Sequence, residues 1–295
     1  MIFYFCSMTS EKAEIPEKLI DLEAVFASKN PYVLKFIPTF LMNYLKRLVH
    51  QDEVNGYIYN HRDKSGLPFV KAILKEFGVN TITLLNGKDQ EQLMENLSAR
   101  LLGRRLIIAS NHPLGGLDGL ALMDQIGLIR SDLVLPVNDI LMNVPGLRPL
   151  FIPINKHGKN TDNARIIEEN FASGKMILYF PAGLVSRKLR GGIIRDLEWK
   201  NTFIKKARKH QRDILPVFVS GRNTDRFYNL ANWRKKLGIK VNIEMFFLVD
   251  EMMKQKGRTI KIIFGDVIPW TSLDKSRNDL EWAEYIRQKV YEMGE

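Results

Sequence analysis

From Arg104 onward, the chain alternates short apolar runs with longer amphipathic segments, and this alternation constrains the possible folds more than any other feature. The apolar runs are RRLIIAS, DLVLPV, PLFIPIN, KMILYF, DILPVFVSG and RTIKIIFGDVIPW. Several are rich in β-branched residues and bounded by turn residues, which is typical of strands. The segments between them, such as DNARIIEENFASG and the basic DLEWKNTFIKKARKHQ, have helical spacing. The pattern predicts an α/β fold, with a mostly parallel sheet covered by helices.

The first part of the chain has a different pattern. Residues 1–103 are expected to be mostly helical and to form an N-terminal helical region, with residues 104–295 forming the α/β domain. The helical segments are PEKLIDLEAVFASK, YVLKFIPTFLMNYLKRLV, GLPFVKAILKEFGV and EQLMENLSARLLG. Gly78 and Gly103 lie at the ends of the last two, where glycine commonly terminates a helix.

The chain carries a concentrated positive charge. Its 44 Lys and Arg exceed its 33 Asp and Glu by 11, and residues 156–212 alone hold 14 basic against 5 acidic side chains. A basic block on a folded protein indicates an anionic partner. Nucleic acid, an anionic lipid surface, a phosphorylated substrate and an acidic carrier protein all fit, and charge alone does not choose among them.

Other residue types exclude several classes of protein. Cys6 is the single cysteine, so a disulfide framework is excluded. The five histidines show neither H-x-H nor H-E-x-x-H spacing, so no metal site is expected. The uncharged runs are far shorter than the ~18 residues that a membrane-spanning helix needs. We therefore expect a cytoplasmic protein that does not cross a bilayer.

The stretch NHPLGGLDG places His112 directly after an apolar run and Asp118 six residues later, beyond Gly115 and Gly116. An Asp at this position can simply cap the following helix. A carboxylate within reach of a histidine is also how a general base is oriented, and we favour this second interpretation. No G-x-S-x-G elbow supplies a nucleophile. Such a dyad would activate a hydroxyl or amine of the substrate, which is direct acyl transfer.

Two further loops follow predicted strands, and ligands of parallel sheets bind beyond the carboxyl ends of strands. FPAGLVSRKLRGG combines a flexible backbone with cations, and it is either a ligand loop or a solvated basic loop. PLFIPINK ends in polar residues that are about as consistent with an ordinary loop as with substrate contact. The expected substrate-binding residues are Gly115, Gly116, Asn155, Lys156, Gly183, Ser186 and Arg187.

These pieces, in this order, resemble the PlsC-like phospholipid and glycerophosphate acyltransferases. NHPLGGLD resembles the His-x4-Asp motif of that family, PLFIPINK and FPAGLVS lie where its second and third motifs belong, and ILPVFVSG resembles its fourth. The similarity spans about residues 104–221. It implies that His112 is the general base, that Asp118 orients its imidazole, and that a fatty acyl group passes to a lyso-lipid or glycerol-type acceptor. The implied donor is acyl carrier protein or coenzyme A carrying the acyl thioester, and no bound cofactor is needed.

The sequence departs from the family pattern at informative positions. The dyad spacing is one residue longer than His-x4-Asp, and the two glycines could let the loop bulge to absorb it. Ile154 and Val185 stand where the family has arginines that are thought to hold the acceptor's phosphate. Either Lys156 and Arg187 replace them, or the acceptor is a monoacylated amino-acid lipid without that phosphate. Both alternatives stay open from the sequence.

Two surfaces are candidate docking sites. LKFIPTFLMNYLKRL, Leu34–Leu48, has aromatic and aliphatic residues between basic ends, which fits a helix lying in a membrane interface or a core helix equally well. The basic segment Asp196–His210 would suit an acidic carrier protein.

Three other functions compete with acyl transfer. They are a lapsed relative that binds lipid or acts as a scaffold, a thioesterase, and a nucleic-acid-binding protein. The last is disfavoured, because Trp199 and Phe203 have core spacing, and no nucleic-acid partner is expected.

Overall fold

The computed structural model describes residues 20–29, 36–86, 93–154, 160–239 and 242–295. The helices are α1 (Leu22–Lys29), α2 (Thr39–Leu48), α3 (Gln51–Asn60), α4 (Leu67–Glu76), α5 (Leu93–Leu101), α6 (Gly116–Gly127), α7 (Asn160–Ala172), α8 (Thr202–His210), α9 (Asp225–Lys236), α10 (Leu248–Met253) and α11 (Asp279–Glu292). The strands are β1 (Asn80–Leu85), β2 (Leu106–Ser110), β3 (Leu133–Val137), β4 (Phe151–Pro153), β5 (Met176–Tyr179), β6 (Arg187–Lys188), β7 (Ile194–Arg195), β8 (Asp213–Val219) and β9 (Thr259–Phe264).

Within the described ranges, seven strands form one sheet in the order β1-β9-β8-β2-β5-β3-β4. Neighbouring strands run parallel except at β8 and β9, which pair antiparallel. The α/β fold with a mostly parallel sheet, predicted from the alternation of apolar runs and helices, is confirmed. None of the helices in the described ranges combines the length and apolar character that crossing a bilayer requires.

Strand β1 was not predicted from the sequence. It pairs in parallel with β9 over six residues, from Asn80 opposite Thr259 to Leu85 opposite Phe264. The partner strand is far away in the chain, so short-range patterns do not reveal the pairing. The N-terminal region thus contributes a strand to the sheet, while its division from the rest at residue 103 stays a prediction. Gly78 and Gly103 have the positive φ angles, 62° and 73°, expected at helix ends.

The core lies on both faces of the sheet. Leu106 and Ile108 of β2 point into one buried cluster with α4 and α6, whereas Ile107 and Ala109 point into another with α8 and α11. Successive side chains of a strand face opposite sides, and both sides of a central parallel strand are covered by helices. The predicted core residue Trp199 is buried in the second cluster.

The helix predicted to begin at Asp196 begins instead at Thr202. Asp196 lies in the loop after β7, where its buried side chain accepts a hydrogen bond from Ser186.

The loops after β2, β5 and β8 lie at one edge of the sheet, because these three strands are adjacent and parallel. This edge holds the candidate site.

Candidate active site

The path of the chain out of β2 is fixed by Asn111. Its side-chain amide donates to the Val219 carbonyl oxygen at 2.8 Å, and its carbonyl oxygen accepts from the Val219 N–H at 2.7 Å. The amide thus continues the pairing of β2 with β8 beyond the last residue of the strand. The next residue, His112, therefore leaves the sheet from a fixed point.

Asp118 both caps a helix and orients His112. It lies in the first turn of α6 and is fully buried. Its Oδ2 accepts hydrogen bonds from the main-chain N–H groups of Leu114 and Gly115, at 2.8 and 3.2 Å. Its Oδ1 lies 2.9 Å from Nδ1 of His112. Oδ2 thus caps the helix, as the first interpretation of the sequence has it, and Oδ1 binds the imidazole, as the second has it. The helix N-terminus further favours the negative charge of the carboxylate.

The contact with Asp118 sets the state of the imidazole. A carboxylate accepts hydrogen bonds, so Nδ1 carries the proton and Nε2 keeps a lone pair. Within the described part of the chain, Nε2 has no hydrogen-bond partner. The ring stacks on Phe180 with centroids 4.1 Å apart, and the side chain is 18% exposed. An imidazole held in this way can accept a proton from a bound substrate.

The surroundings of His112 also shift its affinity for a proton. Burial alone would lower the pKa of the imidazole, but the charge and hydrogen bond of Asp118 outweigh it. The negative charge of Asp196 adds to the effect of Asp118, while the positive charge of Arg187 opposes both. The net result is a pKa above the ordinary value of 6.5. Because a base must be unprotonated to act, the raised pKa moves the working range of His112 toward higher pH.

The longer dyad spacing is accommodated at Gly115. This residue has φ of +87° and ψ of −125°, a conformation that residues with a Cβ rarely adopt. A Cβ on Gly115 would also lie 3.5 Å from Leu248 and 3.6 Å from Val185. Gly116 begins α6. Their roles as substrate-binding residues stay predictions.

The loop after β5 runs alongside the His112 loop. The N–H of Ser186 donates to the main-chain carbonyl oxygen of His112 at 2.8 Å. The Ser186 hydroxyl donates to Asp196 at 2.6 Å and is buried. In the same loop, Gly183 has a positive φ of 66°, and a Cβ there would lie 3.5 Å from the Lys200 ammonium group. Ser186 is therefore close to the dyad, and its contact with substrate stays a prediction.

Arg187 has a different environment from the open loop cation that the sequence suggested. Its side chain is buried and forms an ion pair with Glu244 at 3.0 Å, and it also donates to the Val185 carbonyl oxygen at 2.5 Å. Arg234 pairs with the same carboxylate at 2.8 Å. The role of Arg187 in substrate binding stays a prediction, but in the structure its guanidinium is buried and shares Glu244 with Arg234.

Two predicted substrate-binding residues, Asn155 and Lys156, lie outside the described residues. Of the two positions where the related family has arginine, Ile154 is partly buried and Val185 is buried.

Sequence reasoning missed Asp196, which accepts a hydrogen bond from the main chain of His112 at 3.2 Å. No local signal distinguishes this Asp from a helix-capping or surface residue. Among the described residues, no group of three or more His, Cys, Asp or Glu could hold a metal ion.

Known proteins match this chain over nearly its whole length. The model of a family described as acyltransferase matches residues 24–295. A Bacteroides thetaiotaomicron protein named lyso-glycine lipid O-acyltransferase is 44% identical over 277 residues, 93% of this chain and 97% of that protein. A Phocaeicola vulgatus protein of the same name is 41% identical over 290 residues, 98% of each chain. The crystal structure of the 1-acyl-sn-glycerophosphate acyltransferase PlsC from Thermotoga maritima aligns with a TM-score of 0.45 and 14% identity, covering 84% of this chain and 92% of that one.

Proposed function

The chain belongs to the acyltransferase family, and from this premise we propose that it transfers a fatty acyl group from an acyl thioester to the hydroxyl of a lyso-lipid. The proposed acceptor is a lyso-glycine lipid, and the reaction belongs to membrane lipid biosynthesis. The observation that carries the proposal is the His112–Asp118 pair, with Nδ1 bound at 2.9 Å and Nε2 left to accept a proton.

The geometry supports a general-base mechanism. Nε2 of His112 takes the proton of the acceptor hydroxyl as its oxygen attacks the thioester carbonyl, and Asp118 stabilises the resulting imidazolium. When the tetrahedral intermediate collapses, the new C–O bond is retained and the C–S bond breaks. The leaving thiolate then takes the proton from His112, which returns the dyad to its starting state. None of these steps needs a bound cofactor.

Two observations support an amino-acid lyso-lipid as the acceptor. Both curated relatives are named for lyso-glycine lipid. Ile154 and Val185 also place apolar side chains where the related family has its arginines, and Arg187 is already paired with Glu244. A phosphate monoester would have fewer cations to bind it.

We expect the purified enzyme to acylate lyso-glycine lipid with a kcat/KM at least about tenfold above that for lysophosphatidic acid, because one missing charge-assisted contact costs roughly 1.5–3 kcal/mol. The measurement is transfer of a labelled acyl chain from acyl carrier protein or coenzyme A to each acceptor. Equal activity with both acceptors would contradict the preference. A labelled free acid would identify a thioesterase, and no product from any pair would favour a lapsed, lipid-binding relative.

The donor is proposed to be acyl carrier protein or acyl coenzyme A. The expected carrier-docking surface is the basic segment Asp196–His210. In its helix α8, however, Lys206 and Lys209 pair with Glu168, and Arg208 pairs with Asp279. Within the described ranges, Lys205 is the exposed cation of this helix without an ion pair. The charge available to an acidic carrier is therefore smaller than the sequence suggests, and the assay above compares the two donors directly.

We further propose that the segment Leu34–Leu48, whose first two residues lie outside the described ranges, binds the membrane surface. Phe36 is 84% exposed and Phe40 75%, with Leu41 and Tyr44 also exposed. Met42 and Leu48 on the same helix are buried, so the segment packs on the protein by one side only. In the last turn of α2, Lys46 pairs with Glu23 and Arg47 is exposed. An exposed aromatic surface beside a cation suits an anionic membrane. This supports a peripheral location on the inner face of the membrane.

Replacing Phe36 and Phe40 by Ser should weaken binding to vesicles containing anionic phospholipid by at least about tenfold, because each buried aromatic side chain contributes roughly 1.5–3 kcal/mol. Co-sedimentation at several salt concentrations measures this effect. The matched control replaces Leu102 and Leu128, exposed leucines elsewhere on the protein, and should bind like wild type. Equal loss in both double variants would mean that this helix is not the membrane-binding surface.

A further inference from the structure

Asp196 is a buried carboxylate next to the catalytic loop. Its side chain accepts hydrogen bonds from three donors, which are the main-chain N–H of His112 at 3.2 Å, the Ser186 hydroxyl at 2.6 Å and Nε1 of Trp199 at 3.0 Å. Its own main-chain N–H donates to the Tyr291 hydroxyl at 2.6 Å. Asp196 thus connects the His112 loop, the loop after β5 and helix α11.

Burying the carboxylate of Asp196 between two loops is unfavourable in free energy. A carboxylate removed from water is unfavourable unless it is compensated, and within the described residues three hydrogen-bond donors compensate Asp196. Burial raises the pKa of this carboxyl group, against the hydrogen bonds from Ser186 and Trp199. An amide has a single accepting oxygen and would turn its NH2 group toward one of these donors, so a carboxylate is the side chain of this size that accepts all three hydrogen bonds. When ionised, the same carboxylate also places a negative charge near His112.

The charge lies next to the group that changes its own charge during the proposed reaction. Four groups act on His112 from different elements: Asp118 on α6, Asp196 after β7, Arg187 on β6, and Phe180 after β5, which stacks on the ring. Asp118 holds Nδ1, and Asp196 holds the main chain of the same residue. The two carboxylates favour the imidazolium, and the guanidinium opposes them.

We propose that Asp196 is a positioning residue for acyl transfer, which fixes the main chain of His112 against the Ser186 loop and supplies a second negative charge for the imidazolium. The inference rests on the proposed function of the His112–Asp118 pair. Asp196 anchors the His112 N–H directly, while Ser186, which it also binds, donates its own N–H to the His112 carbonyl oxygen. Both main-chain polar groups of His112 are therefore held by one network. Asp196 does not touch the substrate in this role.

The test is the variant Asp196→Asn, which keeps the size of the side chain, removes the charge and replaces one accepting oxygen with a donor NH2 group. We expect kcat to fall by on the order of 10²-fold, since small displacements of a catalytic group have effects of this size. KM for both substrates should change little. The pKa of His112, followed by NMR titration of its ring resonances, should shift to lower pH. This titration does not need turnover, so it tests the inference even if the proposed acyl transfer fails.

The matched control is Tyr291→Phe, which removes the hydroxyl that binds the Asp196 main chain but leaves the carboxylate in place. It should keep the wild-type pKa of His112. Asp196→Asn with wild-type kcat and titration would overturn the proposal. So would equal losses of kcat in both variants with both titrations unchanged, because Asp196 would then be merely structural.

A second variant covers the case in which Asp196→Asn does not fold. Ser186→Ala removes the 2.6 Å hydrogen bond to Asp196 and leaves the charge in place. If Asp196 acts as proposed, kcat falls by about tenfold with KM unchanged, because the His112 loop is held less firmly. A higher KM with unchanged kcat would show that Ser186 contacts the substrate, and unchanged values of both would show that the network is dispensable. Either result overturns the proposal.

Discussion

Replacing His112 by Ala should lower kcat for acyl transfer by about 10²–10⁴-fold, the usual contribution of a general base. The reason is local, because within the described residues Nε2 of His112 has no competing partner and Nδ1 is held by Asp118. KM should change little, since the imidazole acts on the proton of the acceptor hydroxyl and does not bind its lipid chain. The measurement is initial rates of labelled acyl transfer, with thermal unfolding to show that the variant is folded.

His61→Ala is the matched control for this variant. His61 is exposed to a similar extent, 20% against 18%, and is paired with a carboxylate, Glu76, away from the dyad. It should retain wild-type kcat. If His112→Ala were as active as His61→Ala, the assignment of the base would be wrong, although the family membership of the chain would stand.

Asp118→Asn should lower kcat/KM by roughly 10³–10⁴-fold, the loss seen when the orienting Asp of a catalytic triad becomes Asn. The amide oxygen can still accept from the N–H groups of Leu114 and Gly115, which turns the amide nitrogen toward His112. An amide nitrogen is a donor, so it would bind the lone pair of Nδ1 and move the imidazole proton to Nε2. The base would then be in the wrong tautomer.

The pH profile distinguishes this loss from simple misfolding. In the wild type, kcat/KM should fall as pH decreases through the pKa of His112, which lies above 6.5. The charge of Asp118 is a main cause of that elevation, so in Asp118→Asn the residual activity should fall only at a lower pH. Asp266→Asn, which removes an exposed carboxylate paired with Arg100, should change neither the rate nor the profile. A shift to higher pH in Asp118→Asn would contradict the proposed electrostatics.

The acyltransferase family inferred from the four motifs is confirmed by the match of residues 24–295. The roles of individual residues follow less directly from the four motifs than the family does. The motifs name His112 and Asp118, and these two do lie within hydrogen-bonding distance despite the extra residue between them. Arg187 shows the limit of such inference, since a cation near a strand end looks available in the sequence and is paired with Glu244 in the structure.

Local pattern was sufficient for the features that depend on neighbours in the chain. The apolar runs predicted six strands of the main sheet, β2, β3, β4, β5, β8 and β9, and hence the α/β fold, because strands covered on both faces are apolar along most of their length. The short pair β6 and β7 was not predicted, since its residues were interpreted as a basic loop. The loop with His112 and Asp118 was also recognisable from local sequence, since six residues and two glycines are enough to place a carboxylate beside an imidazole. The pairing of β1 with β9, the partner of Arg187 and the contact of Asp196 with His112 were decided only by tertiary structure. Arg187 and Glu244 are 57 positions apart, and His112 and Asp196 are 84 positions apart. The residues paired between β1 and β9 are farther apart still, and no local pattern in the sequence identifies a partner that only folding brings near.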